Sequence, residues 1–350
     1  MTISGLTRGK NRVTMADIAT IAGVSRSAVS AVLNNRVENI RVGKETREKI
    51  EKIVRQTAFR SNAFGKALAS GKSNLIGLVV KYISDSFMPS CVEAIEDVAE
   101  SLGCGVLLMT TRDYGKTRQA DVMNFVTGKW VDGIILASEC EADQSTKAFM
   151  EQRKTPVVYL AHIPKNALTN SGTVCVNGTA IGTMGIQHLI SKGHKHIACI
   201  GMSEWVKSGV NDGVNVTPSD KKLDVEFWSC DYGSNNPMFE IFERWNKTIH
   251  KPTALFFNGD NFACDFINMA VRAGIRIPQD VALMGVNDIP EAAKAIYPLT
   301  TIRQPKYEQA EVACKLLFEM IDGKPGREIM LDPELIERET TRLGPNITSL

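Results

Sequence analysis

The sequence contains no stretch that favours insertion into a membrane. No apolar run approaches the roughly 20 residues that a helix needs to cross a bilayer, and the N-terminus has no apolar segment typical of a secretory signal. The eight cysteines stand singly, without the C-x-x-C spacing of many metal sites. We therefore expect a cytoplasmic protein with reduced, mostly buried cysteines, no metal ion, no cofactor and no membrane contact.

The sequence also lacks the motifs of common enzymes. It has no G-x-S-x-G nucleophile motif and no pair of acids arranged for acid–base catalysis. The letters "GKS" at 71–73 look like the end of a phosphate-binding loop, but Lys66 stands where such a loop needs its first glycine, and no strand precedes it. We therefore expect a protein that is not an enzyme.

Positive charge is concentrated near the N-terminus. Residues 1–72 contain 14 Lys and Arg against 5 Asp and Glu, whereas the rest of the 350 residues contains 27 against 34. A compact basic module joined to an acidic body is typical of nucleic-acid-binding proteins that have a second, separate function. A basic surface that contacts only solvent is the alternative.

Residues 13–60 show three short helical patterns. Thr14 opens a capping-box pattern for the first helix, Gly23 favours a tight turn, and Ser25 is a natural N-cap for the second helix. A third helix is expected over 44–57, because its apolar residues share one stripe opposite the charged ones. Helix, tight turn, helix and supporting helix is the order of a helix-turn-helix module.

Beyond about residue 73 the pattern changes to short, continuous apolar runs separated by helical stretches. Seven such runs occur, at 75–80, 105–109, 132–138, 156–161, 196–201, 254–259 and 281–286. Runs of this kind are typical of strands that are buried on both faces of a parallel sheet. The predicted fold class is therefore α/β, with enough repeats for two doubly wound sheets and a ligand cleft between two lobes.

Several motifs occur in a recognisable order. The stretch "VTMADIATIAGVSRSAVSAVLNN" begins at residue 13, and "HLISKGHKHIACIG" (188–201), "IRIPQDVALMGVND" (275–288) and "PLTTIRQP" (298–305) follow it. Together they resemble the LacI/GalR (lactose-repressor/galactose-repressor) family of bacterial transcription regulators, over roughly residues 13–335. The resemblance implies an all-α helix-turn-helix headpiece, a hinge helix and a two-lobed α/β body like a periplasmic binding protein, acting as a dimer.

The resemblance also implies the domain boundaries. They are a flexible basic arm at 1–12, the DNA-binding headpiece at 13–60, the hinge helix and linker at 61–72, and the effector-binding and dimerisation body at 73–350. Within the body, an N-lobe is expected over about 73–175 and 304–331. A C-lobe is expected over about 176–303 and 332–350.

The second helix of the headpiece is expected to read bases. In this family its N-terminal residues enter the major groove, and Arg26 and Ser27 match two positions that vary with the operator sequence. The guanidinium of Arg26 suits a bidentate contact with guanine. Ala31 stands where relatives often carry a long polar side chain, so it offers at most a methyl contact to thymine. A phosphate contact or an ion pair is the alternative for Arg26.

Other residues are expected to position the DNA. Four polar side chains are predicted to contact phosphates, which orient without specifying a sequence: Thr14, Ser25, Ser30 and Asn34. The stretch "SNAFGKALAS" (61–70) resembles the family's hinge segment, in which Leu68 matches a leucine that inserts into the minor groove, with Asn62 and Ala69 beside it. Without the resemblance, Leu68 would be equally acceptable as a core or an exposed residue.

The body departs from the family's ligand-binding pattern. Asn287 replaces the first aspartate of the common "G-x-D-D", and Gly259 replaces the usual asparagine before Asp260. No arginine occurs between Arg153 and Arg244, so the arginine with which the second lobe commonly binds ligand has no counterpart. These losses make an ordinary sugar less suitable as the ligand, because carboxylates and arginine are the groups that hydrogen-bond sugar hydroxyls.

Five side chains are candidates for effector contacts, either as stacking faces or as polar partners: Phe87, Trp205, Asn258, Asp260 and Asn287. A simple structural role is the alternative for each of them. Two histidines, His194 and His196, lie where a turn enters a strand, and we expect them to be structural rather than metal ligands.

The expected function is that of a sequence-specific DNA-binding transcriptional regulator. We expect a dimeric repressor that binds a near-palindromic operator in double-stranded DNA in the bacterial cytoplasm, in association with the nucleoid. A small-molecule effector of unknown identity, bound in the cleft between the lobes, is expected to control it. The alternative is a DNA-binding regulator whose divergent body responds to a protein partner or to no small ligand.

Overall fold

The computed structural model describes residues 13–33, 42–57, 59, 72–84, 87–112, 121–122, 125–126, 131–137, 144–164, 166–218, 223–230 and 236–342. The chain divides into two compact units, Met1–Asn74 and Leu75–Leu350. The predicted N-terminal arm, Asn34 and the predicted hinge residues Asn62, Leu68 and Ala69 lie outside the described residues.

In its described part, the first unit consists of three helices. They are α1 (Met15–Ala22), α2 (Arg26–Leu33) and α3 (Lys44–Thr57), which confirms the predicted third helix. The hydroxyl of Thr14 accepts a hydrogen bond from the backbone N–H of Asp17, whose carboxylate accepts one from the backbone N–H of Thr14. Gly23 ends α1 with a φ of 72°, a left-handed conformation that glycine adopts without steric strain. The tight turn between α1 and α2 depends on this residue.

A small apolar core joins these helices. Ile18 of α1, Val29 of α2 and Ile50 of α3 have no exposed surface, and Val32 and Ile53 pack around them. Val29 and Val32 are three residues apart and therefore lie on one face of α2. One face of α2 thus packs into the core through short side chains. The first turn of the helix remains at the surface.

The second unit contains, among its described residues, two sheets of six strands each. Neighbouring strands of the first sheet are parallel, in the order β11-β5-β4-β3-β1-β2. These strands are β1 (Leu75–Val80), β2 (Gly105–Thr110), β3 (Gly133–Ala137), β4 (Val157–Leu160), β5 (Ser171–Val176) and β11 (Glu328–Leu331). The central strands β3 and β4 are buried along their whole length.

The second sheet has the order β12-β10-β9-β8-β6-β7. Its strands are β6 (His196–Ile200), β7 (Asp224–Trp228), β8 (Ala254–Phe257), β9 (Ala282–Val286), β10 (Thr300–Arg303) and β12 (Glu334–Ile336). All neighbours are parallel except β12, which is antiparallel to β10. The two parallel sheets confirm the predicted doubly wound α/β fold class.

Helices alternate with the strands along the chain. They are α4 (Met88–Ser101), α5 (Gln144–Arg153), α6 (Gly178–Ser191), α7 (Glu204–Asn215), α8 (Pro237–Lys247), α9 (Asp260–Arg272), α10 (Pro290–Lys294) and α11 (Lys306–Ile321), followed by a short 3-10 helix at Glu339–Thr341. In the described chain no single helix is long and apolar enough to span a membrane. The pair α1 and α2 reaches that length and composition together, but it is bent by 107°.

The chain passes three times between the two sheets, each with its helices forming one lobe. It leaves the first lobe after β5, returns between Arg303 and Lys306, and leaves again between Leu331 and Glu334. The helix α11, which follows the second passage, packs on α4 and on the strands β3 to β5 of the first lobe. Residues of both lobes are therefore close to one another at these three connections.

Apolar runs did not predict five of the strands: β5, β7, β10, β11 and β12. The strand β7 lies at the edge of its sheet and begins with the exposed Asp224, so it has no continuous apolar run. The strands β10 and β12 have only four and three residues. Short strands and edge strands carry little hydrophobic periodicity, because few of their side chains are buried on both faces.

Glycines bring α6 and α7 into backbone contact. A Cβ atom at Gly182 would overlap the carbonyl oxygen of Val206, and one at Gly209 would overlap that of Thr179. The hydroxyl of Thr183 donates a hydrogen bond to the carbonyl oxygen of Gly209 at 2.9 Å. The helix α7 is thus held on α6 through residues that have no side chain.

We expect Gly209→Ala to lower the free energy of unfolding by about 1–3 kcal/mol. Overlap with the backbone of α6 outweighs the roughly 1 kcal/mol by which alanine favours a helix over glycine. Urea denaturation of the full chain, followed by circular dichroism, measures the change. The matched control is Ser208→Ala on the exposed face of α7, which should stay within about 0.5 kcal/mol. Equal midpoints for the two variants would contradict the proposed backbone contact.

Candidate functional site

The first turn of α2 presents two of the predicted base-reading side chains. Arg26 and Ser27 are exposed, and the hydroxyl of Ser25 caps the helix by accepting a hydrogen bond from the backbone N–H of Ala28 at 3.2 Å. The hydroxyl groups of Ser25 and Ser27 lie 2.8 Å apart and share a hydrogen bond. Within the described chain, Arg26 has no ion-pair partner, so its guanidinium is free to bind another molecule.

Ala31 differs from these two residues. Its side chain is only 5% exposed, so its methyl group does not face solvent on the surface that carries Arg26. The predicted contact between Ala31 and thymine therefore requires a change in its surroundings, and the exposed first turn is the part of α2 that is suited to reading bases.

The predicted phosphate contacts have different surroundings. Thr14 and Ser25 are exposed, yet each hydroxyl already takes part in a helix cap. Ser30 is half-buried on α2. Thr14 and Ser25 lie at helix N-termini, where unpaired backbone N–H groups favour negatively charged groups such as phosphate, whereas Ser30 lies in the middle of α2.

A cavity of about 840 Å³ lies between the lobes of the body. Ser84, Pro89 and Ser90 line it from the first lobe, and Asn261, Asp265 and Lys294 are among the residues that line it from α9 and α10. None of the five predicted effector residues lines this cavity, although each is described by the structure.

Asp260 begins α9 and has no exposed surface. Its carboxylate accepts hydrogen bonds from the hydroxyl of Thr301 at 2.6 Å and from the backbone N–H of Ile289 at 3.0 Å. Burial raises the pKa of Asp260 to about 7, and these hydrogen bonds only partly offset the effect. The side chain joins α9 to β10 and to the start of α10, which is a structural role.

Asn287 and Asp288 are held by neighbouring side chains at the end of β9. Asn287 accepts a hydrogen bond from the amide of Gln304 at 2.7 Å. The carboxylate of Asp288 accepts one from Nε of Arg303 at 2.8 Å and one from Nη2 of Arg338 at 2.6 Å. Burial favours a higher pKa for Asp288, but the two arginines outweigh it and hold the pKa below its ordinary value. Its carboxylate is therefore ionised within a network beside the connections between the lobes.

The remaining effector candidates are placed apart. Phe87 is 7% exposed and packs in the core of the first lobe. Asn258 donates a hydrogen bond to the carbonyl oxygen of Gly201 at 3.1 Å. Trp205, which begins α7 beside Gly178, is 42% exposed. Trp205 is thus the one candidate of the five with a largely free surface.

Sequence reasoning missed Arg303 and Arg338, which hold Asp288. Arg303 lies within the motif "PLTTIRQP", so its presence was visible, but its partner 15 residues earlier in the chain was not. Arg338 follows β12 and also donates to the carbonyl oxygen of Leu299 at 2.8 Å. Pairings of this kind depend on strand order, which a single sequence does not encode as a local pattern.

Asp260 should make stability depend on pH. Its pKa is about 7 in the folded chain against an ordinary 3.8, so the folded state holds a proton that the unfolded state has lost. This stabilisation is complete below pH 3.8 and is lost as the pH rises through about 7. We expect the wild-type unfolding free energy to fall between pH 5 and pH 8 relative to that of Asp260→Asn, measured with urea.

Asp280→Asn is the matched control for this measurement. Hydrogen bonding to Arg276 holds the pKa of Asp280 below its ordinary value, so its contribution is constant above pH 5 and the difference from wild type should not change. Parallel pH profiles for the wild type and Asp260→Asn would show that Asp260 is ionised in the folded chain throughout this range.

Comparison with known families accounts for both units. Residues 14–62 match the family described as bacterial regulatory proteins, lacI family. Residues 73–207 match the periplasmic binding proteins and sugar binding domain of LacI family. Residues 186–341 match a periplasmic binding protein-like domain. The first match lies in the first unit, and the other two, which overlap at 186–207, together cover most of the second unit.

Individual proteins are similar over nearly the whole chain. The HTH-type transcriptional regulator DegA of Bacillus subtilis is 29% identical, over 94% of this chain and 98% of its own length. Catabolite control protein A of Priestia megaterium is 28% identical, over 94% and 99%. The crystal structure of the lac repressor dimer bound to operator and the anti-inducer ONPF has a TM-score of 0.79 at 24% identity, over 95% and 99%, and shows the same fold. The helix-turn-helix unit, the two-lobed body and these relatives together identify the chain as a member of the LacI family of bacterial regulatory proteins, a DNA-binding regulator of transcription.

Proposed function

We propose that this chain is a dimeric repressor of a near-palindromic operator in the bacterial cytoplasm, controlled by a small molecule bound between its lobes. The observation that carries the DNA-binding part is the exposed first turn of α2, where Arg26 and Ser27 lie on a helix anchored by Val29 and Val32. Such a helix enters the major groove with its N-terminal residues on the base edges.

The side chains of this turn have different value for reading sequence. The guanidinium of Arg26 matches O6 and N7 of guanine with two parallel hydrogen bonds. Ser27 both donates and accepts, and it shares a hydrogen bond with Ser25, so it discriminates less between bases. Most of the direct readout in each half-site is assigned to Arg26.

The remaining lysines and arginines of residues 1–72 supply sequence-independent affinity. Each phosphate that they neutralise releases a counterion, so the logarithm of the affinity falls by about 0.9 per logarithmic unit of salt for each contact. The headpiece is oriented on the DNA backbone by phosphate contacts from Thr14, Ser25, Ser30 and Asn34. Asn62, Leu68 and Ala69 act in the minor groove at the operator centre, where insertion of Leu68 kinks the DNA.

Control by an effector is proposed from the form of the body. The cavity between the lobes has the size of a small-molecule site, about 840 Å³. Trp205 in α7 offers an exposed aromatic face elsewhere on the second lobe. Asp288, Arg303 and Glu334 lie beside two of the three connections between the lobes. A ligand that binds one degree of lobe closure better than another would shift the population through these connections.

A second candidate function is a regulator whose body responds to a protein partner or to no small ligand. This function is supported by the polar side chains at the expected ligand positions, because they already form hydrogen bonds within the chain. Asp260, Asn287 and Asn258 already hydrogen-bond within the chain, so a ligand would have to replace those bonds.

Substitution of Arg26 tests base reading. The DNA sites for this test are first selected from random DNA with the wild type. We expect Arg26→Ala to lose the preference for one base at one position in each half-site, a preference worth about 1–3 kcal/mol of binding free energy. Arg26→Lys should also lose discrimination while it keeps the salt dependence, because an ammonium group lacks the planar fork. The control is Arg55→Ala on α3, which is exposed and 3.8 Å from Glu51. An equal loss of affinity on every single-base variant would reject base reading by Arg26.

A thermal-shift screen of metabolites with the full chain separates the two candidate functions. A saturating effector at 100 times its Kd should stabilise the folded state by about 2.7 kcal/mol. We expect Asp265→Ala, which changes a residue that lines the cavity, to weaken this response, whereas Phe239→Ala, which removes an exposed aromatic from the same lobe outside the cavity, should not. Absence of any saturable stabilisation would favour the second candidate. An unchanged response in Asp265→Ala would exclude that residue from the site.

A further inference from the structure

Three side chains that commonly bind metal ions converge at the edge of the second sheet. His196 begins β6, and Asp224 and Glu226 lie two residues apart on the edge strand β7. The two strands are parallel, with His196 opposite Asp224 and Ala198 opposite Glu226. Because alternate residues of a strand point to the same face, the two carboxylates lie on one side of β7, next to the imidazole.

The ligand atoms are already close together. Nε2 of His196 lies 2.7 Å from Oε1 of Glu226 and 3.6 Å from Oδ2 of Asp224, and the three atoms all lie within 4.8 Å of one another. The imidazole is partly buried, with 20% of its side chain exposed, whereas Asp224 is 70% exposed. The site is therefore open to solvent on the Asp224 side.

Glu226 is oriented by groups behind it. Its second oxygen, Oε2, accepts a hydrogen bond from the indole N–H of Trp228 at 2.8 Å and lies 3.8 Å from the guanidinium of Arg244. Arg244 in turn lies 4.1 Å from the centre of the Trp228 ring. The carboxylate is thus fixed through one oxygen, which leaves the other oxygen directed at His196.

We propose that His196, Asp224 and Glu226 bind a divalent transition metal ion of the Zn²⁺ type. One imidazole nitrogen and two carboxylate oxygens are ligands that Zn²⁺ takes at about 2.0–2.2 Å, with water completing the coordination. An imidazole ligand disfavours Mg²⁺ and Ca²⁺, which prefer oxygen alone. The ion takes the place of the hydrogen between His196 and Glu226, which is released to solvent as a proton, and Trp228 supports Glu226 from behind, as is common around metal sites.

The proposed ion would join the edge strand β7 to β6. Among the described strands, β7 has β6 as its only neighbour, so an additional link through side chains adds to the backbone hydrogen bonds of that pair. Binding to the folded chain alone would then raise its thermal stability in proportion to the logarithm of metal concentration.

Calorimetric titration of the metal-free full chain with ZnCl₂ tests the proposal. We expect one saturable equivalent, with affinity at least tenfold lower in His196→Ala and in Glu226→Gln. Trp228→Phe removes the indole N–H and should weaken binding by roughly 10–100-fold. The matched control is His250→Ala, an exposed histidine of the same lobe, which should leave the affinity unchanged. Co²⁺ used as a probe should show the visible absorption of a site with low coordination number, and this band should disappear in His196→Ala.

Asp224→Asn keeps the test decisive if the other variants unfold, because Asp224 is largely exposed and its loss should lower affinity without lowering stability in the absence of metal. No saturable Zn²⁺ binding by the wild type would overturn the proposal and leave a His196–Glu226 ion pair. Binding that is equally strong in His196→Ala and Asp224→Asn would overturn it as well, since the metal would then be held elsewhere.

Discussion

The carboxylate of Asp288 accepts hydrogen bonds from Arg303 at the end of β10 and from Arg338 after β12. These two arginines stand on either side of the return of the chain through the first lobe, and Arg303 also pairs with Glu334. This partly buried network, in which Asp288 is 11% and Arg303 44% exposed, fixes where two of the connections leave the second sheet. Removing Asp288 would leave the mostly buried guanidinium of Arg338 without its carboxylate partner, which costs more than the contact itself.

The sequence predicted the parts of the fold in which many neighbouring residues share one environment. The strands β1, β3, β8 and β9 are buried on both faces and appear as apolar runs, and α3 appears as an amphipathic stripe. The edge strands β7, β11 and β12 and the inner strands β5 and β10 were missed, because their pairing partners are distant in sequence, whereas the edge strand β2 appears as an apolar run. The strand β7, with Asp224 exposed at its start, is stabilised by its pairing with β6 and not by an internal pattern.

The candidate sites divide in the same way. The position of Arg26 at the start of α2 was predictable, because the helix cap at Ser25 and the turn at Gly23 fix that start locally; its contact with a base stays a prediction. The surroundings of Asp260 could not be predicted, because its hydrogen-bond donors, Thr301 and Ile289, lie far from it in the sequence. His196 was expected to be structural, and the sequence alone could not show that strand register brings it beside Asp224 and Glu226. Its neighbour His194 has the expected structural role: it shares a hydrogen bond with Thr253, and burial lowers its pKa to about 4.

The backbone contact between α6 and α7 has a mechanical consequence. Helices separated by side chains can slide by rotamer changes, but Gly182 and Gly209 leave no side chain to adjust. The two helices must therefore move as one rigid body. Asn177, which caps α6, also donates its backbone N–H to Leu331, where the chain makes its third passage between the lobes. A displacement of Trp205, which lies against Gly178 at the N-terminus of α6, would thus move the capping residue Asn177 and, through it, that connection.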